Sequence, residues 1–199
     1  KDTLRRGAAA SVRSAALSVV SENVAKLITL NHARNAEIKA KFNPITGEGS
    51  IGERKEIVIE DFPFPVQYIP KTMMRVPLVR QLVEAGSIKR FLEEYMNTEY
   101  SDEDKEKVIE QFVRIRVKHD FAFWAAMYVF IKQKGGGEDV HFRLNRPQRK
   151  LIMRFERRRL QGKPIRLILL KARQWGGSTA TQIYMAWLQL VHKVGLNSL

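Results

Sequence analysis

Apolar residues recur along this chain at intervals of three and four, and turn-forming clusters break them into segments that predict a mostly helical first part. Over residues 1–41, Val12, Ala16, Val19, Val20, Leu27 and Ile28 fall at roughly helical spacing, in an alanine-rich stripe too thin to form its own core. This arm is expected to pack against another domain or a partner. Residues 43–72 read as irregular: "NPITGEGSIGE" is turn-forming, "KEIVIEDF" resembles a short strand, and Pro63, Pro65 and Pro70 oppose regular structure beyond it. A helical pattern returns over 72–96 through Leu78, Leu82, Ile88, Phe91 and Leu92, interrupted by Pro77 and Gly86.

The strongest helix opens at "SDEDKEKVIEQF", where Ser101 caps, Asp104 completes a capping-box pattern and the acids suit the helix dipole. Its buried stripe is expected to run through Ile109, Phe112, Val113, Val117, Phe121, Trp124, Tyr128 and Ile131 as one continuous face. The glycines of "KQKGGGED" then mark a boundary. Beyond it, Asn145 caps a helix with Pro147 in its first turn, and Leu151, Ile152, Phe155 and Leu160 form its inward face. Gly162 and Pro164 end that helix, and "IRLILL" (165–170) predicts a short buried strand. The last helix starts near Ser178, with Ile183, Trp187, Leu190, Val191 and Val194 inward.

Composition adds exclusions. The chain has 199 residues and no cysteine, which removes disulfides, thiolate metal sites and cysteine nucleophiles. The run "FAFWAAMYVFI" is too short to span a membrane. His32, His119, His141 and His192 stand apart from one another and read as surface or structural, as do the acids of "EEYMNTEYSDED". No serine hydrolase elbow is present. Charge is more informative. Between Arg143 and Arg173 lie twelve Lys and Arg and the single acid Glu156, a net +11 of the total +14. Such a segment suits polyanions, and Arg154, Arg157, Arg158 and Arg159 are its candidates for DNA or a protein partner.

The candidate chemistry lies in "KARQWGGST" (171–179), which follows the apolar run. A strand, a glycine turn and a helix start in that order aim backbone N–H groups at phosphate oxygens. The usual pattern G-x-x-x-x-G-K-[ST] places lysine where this chain has Gly177. Lys171 and Arg173 instead supply charge from the front of the loop. Gly176 and Gly177 permit close backbone approach, Gln174 lies within the loop, and Ser178, or less readily Thr179, offers a hydroxyl to Mg²⁺. An ordinary strand–turn–helix connection remains the alternative reading of these residues.

"KARQWGGST" preceded by "NRPQRKLI" resembles the N-terminal ATPase of the large terminase subunit of tailed phages, the motor that packages DNA into procapsids. That family accepts a displaced lysine in a K-x-R-x-x-G-x-[ST] pattern, matched here by Lys171, Arg173, Gly176 and Ser178. The resemblance implies that Lys171 neutralises phosphate charge, that Arg173 senses or stabilises the γ-phosphate, and that Gln148 recognises adenine. It covers about residues 142–199. It further implies ATP and Mg²⁺ as cofactors, and double-stranded DNA, a portal and a small terminase subunit as partners. A homo-oligomeric ring during packaging, and a location in the cytoplasm of an infected bacterial host, transiently at the portal, follow from the same likeness.

The expected fold is therefore α/β: a mostly helical region over 1–134, a glycine-rich linker over 135–141, and the start of a P-loop NTPase over 142–199. A second strand ending in the Mg²⁺-binding acid, a catalytic glutamate and a C-terminal nuclease are expected beyond Leu199, so the chain reads as the leading portion of a longer polypeptide. Two alternatives stand beside this: a helicase-like P-loop ATPase, and a structural or DNA-binding segment that holds phosphate without hydrolysis.

Overall fold

A computed structural model describes residues 42–132, 136–170 and 175–192, together with Lys26 and Thr29. The chain divides into two units, 1–40 and 41–199. In the first, Lys26 and Thr29 are helical and exposed; the other residues of the predicted N-terminal arm lie outside the described residues.

The second unit mixes α and β structure. Strands β1 (Arg54–Val58) and β2 (Val66–Pro70) form an antiparallel hairpin in which Ile57 faces Gln67. The hairpin is followed by a 3₁₀ turn (Lys71–Arg75), α1 (Pro77–Ala85) and α2 (Ile88–Tyr95). Proline begins α1 where a missing N–H costs nothing, and Gly86 ends it in the left-handed conformation at φ 73°. Ser87 caps α2 by accepting from the Arg90 N–H. These elements close over Ile57, Ile69, Met73, Leu82, Ile88 and Phe91, all essentially buried, with Phe62 and Phe112 in edge-to-face contact at 4.9 Å.

Helix α3 (Asp102–His119) opens at the predicted Ser101 cap, which accepts from the Asp104 N–H at 3.1 Å. The capping box is not completed, because the Asp104 carboxylate accepts from the Ser101 hydroxyl at 2.6 Å instead of from its backbone N–H. It does not continue to Ile131. The chain breaks at Asp120, whose carboxylate caps a separate helix α4 (Phe121–Tyr128) by accepting from the Phe123 N–H. Asp120 is drawn out of the helical path by two cations. Arg54 of β1 donates to both its oxygens at 2.6 and 2.9 Å, and Arg116 donates at 3.4 Å. The predicted stripe is corrected accordingly, with Tyr128 exposed and Ile131 in a strand.

The glycine run lies in the connection of a second hairpin, β3 (Phe130–Lys132) with β4 (Asp139–His141). The cores do not divide there. Phe121 and Trp124 of α4 pack with Phe142 and Leu144 after the hairpin, so both sides of the glycines serve one core. Helix α5 (Arg146–Leu160) contributes Leu151, Ile152 and Phe155 to it, and α6 (Gly177–Trp187) contributes Ala180, Tyr184 and Trp187. The Trp187 ring nitrogen donates to the Val117 carbonyl at 2.9 Å, which satisfies the one polar atom of that ring. Leu160 and Leu190, predicted inward, are exposed; a π-helical turn (Leu188–His192) follows α6 and turns Leu190 away.

The largest correction concerns 165–170. This run is not a strand but irregular, and Ile168 and Leu170 are fully exposed. A strand needs neighbours to bond its backbone and cover its faces. Among the described residues both sheets are two-stranded antiparallel hairpins, and neither includes this run.

Candidate phosphate-binding site

The geometry of the loop begins at the preceding helix. Asn145 and Gln148 form a reciprocal capping box at the start of α5. The Asn145 side-chain oxygen accepts from the Gln148 N–H at 3.0 Å, and Gln148 Oε1 accepts from the Asn145 N–H at 2.9 Å. Each side chain keeps an amide nitrogen in hand, and both nitrogens reach the loop. Asn145 Nδ2 donates to the Trp175 carbonyl at 3.1 Å, while Gln148 Nε2 donates to Gly176 at 3.0 Å and to Trp175 at 3.4 Å. One cap thus orders the start of α5 and ties it to the last residues of the loop.

Gly176 is the N-cap of α6 and sits in the left-handed region, φ 75° and ψ 22°. A Cβ there would stand 2.6 Å from Gln148 Nε2, and one on Gly177 would stand 2.5 Å from the Trp175 ring. Both glycines are required by the packing around them. No side chain caps α6, so the orphan N–H groups of its first turn are left without that partner. Ser178 and Thr179 are exposed in the same turn, whereas Ala180 is buried beneath it. Thr181 donates back to the Gly177 carbonyl at 2.9 Å and takes no part in the open end. The arrangement offers oriented N–H donors, a positive helix end and one or two hydroxyls, which suits an anion.

Of the predicted site residues, Gln148, Gly176, Gly177, Ser178 and Thr179 are thereby brought together. Lys171, Arg173 and Gln174 lie outside the described residues. Gln148 is buried rather than facing solvent, and both ends of its carboxamide are engaged by protein. Among the described residues no group of three His, Cys, Asp or Glu could hold a metal ion.

The four arginines predicted to face DNA do not share one environment. Arg154, Arg157 and Arg158 are exposed. Arg159 instead pairs side-on with Glu156, with two contacts of 2.8 Å, and lies over the Trp187 ring at 5.4 Å. The Tyr184 hydroxyl donates to the same Glu156 at 2.5 Å. Burial, and next the nearby Glu156 charge, push the Tyr184 hydroxyl far above its ordinary value, so it stays protonated as a donor.

Sequence reasoning missed two buried cations. Arg116 donates to Gln67 at 2.7 Å and stacks over Phe123, and burial lowers its pKa. Arg149 lies over Phe42 at 4.1 Å and donates to the Gly49 carbonyl at 2.7 Å. Neither carries a local signal, because arginine is ordinarily exposed. Asp120 did carry one, since Asp before "FAF" is an N-cap pattern. No protein-family profile, curated protein or solved structure matches this chain.

Proposed function

We propose that this chain binds ATP with Mg²⁺ at the open end of α6 and works in a DNA-packaging ATPase of the terminase large-subunit type. The observation that carries the proposal is the left-handed Gly176, which opens an α6 without a side-chain cap and is held in place by Gln148 from the preceding helix. In this reading the first-turn N–H groups and the helix dipole hold the phosphates, and Ser178 gives its hydroxyl to Mg²⁺. Lys171 neutralises the β- and γ-phosphates, and Arg173 stands at the γ-phosphate. Gln148 fixes the loop through Gly176. To recognise adenine as well, its carboxamide must exchange these contacts for the adenine edge, to which it can both donate and accept.

Arg154, Arg157 and Arg158 are the residues of α5 proposed to meet DNA phosphates, since all three are exposed. Hydrolysis would also need an acid for Mg²⁺ and a glutamate to orient water. The activity proposed for this chain is nucleotide binding coupled to DNA.

Equilibrium binding of a non-hydrolysable ATP analogue with Mg²⁺ tests the nucleotide site. Lys171→Ala is expected to weaken binding at least about tenfold, the effect of removing roughly 1.4 kcal/mol. Equal affinity in the two proteins sinks the displaced-lysine assignment.

A further inference from the structure

A cavity of about 630 Å³ opens between the loop that precedes β1 and the face of α5. Its size falls among small-molecule sites, about 300–1,000 Å³. Phe42, Phe121, Leu144, Ile152 and Met153 give it apolar walls. The loop that closes one side carries Gly47, Gly49 and Gly52, at φ 81°, 65° and 117°. It leads into a strand rather than out of one, so its G-x-G-x-x-G spacing is not a dinucleotide fingerprint. Gly47 is explained by packing, since a Cβ there would collide with the Tyr68 carbonyl oxygen at 2.0 Å.

The charges around the cavity do not balance. Three acids line it, two of them held by arginines and the third, Glu53, exposed beside Lys71. Asp120 is held by Arg54, Glu53 lies 3.6 Å from Lys71, and Glu156 is held by Arg159. Arg149, Arg154 and Arg157 also line it, and among the described residues none of them has an acid partner. Two polar atoms of lining residues are buried with no hydrogen bond, Ser50 Oγ and Arg149 Nε. Arg149 is only 5% exposed. A guanidinium buried beside an aromatic ring without a carboxylate is costly, and an anion nearby relieves that cost.

We propose that this cavity binds a phosphomonoester with a flat or apolar body, of the size of a nucleoside monophosphate, at a site separate from the loop of α6. Arg154 and Arg157, three residues apart on one face of α5, hold the phosphate at the mouth. Arg149 supplies fixed positive charge behind them, oriented by Phe42 and Gly49, and Ser50 offers a donor that small rotations of its side chain bring to the ligand. Such a group reaches the site either as a free nucleotide or as the 5′-phosphate end of a polynucleotide strand.

The test is hydrogen exchange of the whole chain with AMP, with a 5′-phosphorylated oligonucleotide and with the same oligonucleotide bearing a 5′-hydroxyl. Slower exchange over residues 47–54 with AMP supports a free-nucleotide site, and slower exchange there only with the phosphorylated oligonucleotide supports a strand-end site. In either case Arg154→Ala/Arg157→Ala is expected to weaken that ligand at least tenfold; both side chains are exposed, so the fold tolerates their loss. Equal protection by the two oligonucleotides without any by AMP, protection confined to 176–182, or no protection at all overturns the proposal.

Discussion

Asp120 concentrates the electrostatics of the fold in one side chain. Burial alone would raise its pKa, but the charge and hydrogen bonds of Arg54, followed by the charge of Arg116, outweigh that and hold it below the usual carboxylate range. Removing the charge leaves two guanidinium groups facing a neutral partner, one of them fully buried. Asp120→Asn is expected to cost roughly 3–5 kcal/mol, read from the midpoint of denaturant unfolding. Because the folded pKa is depressed, this contribution is complete above the ordinary carboxylate value of 3.8 and is lost only as pH falls through the lower folded value. Histidine acts in a different window. Burial, then the Arg159 charge, lowers the pKa of both His119 and His192 below 6.5. The unfolded chain then binds more protons than the folded one as pH drops below about 6.5, so stability declines there and is restored at higher pH. Unfolding midpoints at pH 7.5 and 5.5 are expected to differ in the native sequence and to converge in His119→Gln/His192→Gln.

At the scale of elements, the run 165–170 separates what can be read locally from what cannot. Ile168 and Leu170 gain nothing from burial in this chain, being 104% and 102% exposed. Ile168→Lys/Leu170→Lys is therefore expected to leave stability within about 0.5 kcal/mol while reducing the binding of a hydrophobic dye. Stability lost by more than that would show the run to be packed in solution. The sequence pattern made this run a strand because apolar β-formers are its only local signal, but strand formation depends on a neighbour, which no window of six residues contains. Caps were legible for the opposite reason. Ser101 and Asn145 act within four residues and cap where the sequence places them. The reciprocal partner of Asn145 proves to be Gln148, whereas Asp104 accepts from the Ser101 hydroxyl rather than from its backbone N–H. The break at Asp120 had a local signal, the N-cap pattern of Asp before "FAF", but the charge that fixes it, Arg54, lies 66 residues away. The left-handed Gly176 was expected as part of a glycine turn, whereas its collision partner Gln148 is 28 residues distant and had been assigned only to the ligand. Element types were thus readable from short-range chemistry, and the contacts between elements were not.

For the molecule as a whole, the surplus of positive charge is concentrated on one segment, and the structure sorts that segment into two kinds of arginine. Arg154, Arg157 and Arg158 are exposed, whereas Arg159 is consumed by Glu156. If the exposed set meets DNA, Arg154→Ala/Arg157→Ala/Arg158→Ala flattens the dependence of log affinity on log salt by about one per lost phosphate contact. Arg159→Ala should leave that slope unchanged and act on stability instead. An unaltered slope in the triple variant removes DNA from this face. No helix among the described residues is long and apolar enough to cross a membrane. Whether the open end of α6 holds nucleotide phosphates is read from hydrogen exchange of the amides 177–180 with and without a non-hydrolysable ATP analogue and Mg²⁺. The analogue is expected to slow exchange there at least several-fold, and Ser178→Ala to reduce the effect. Unchanged exchange at 177–180 under a saturating analogue would contradict it.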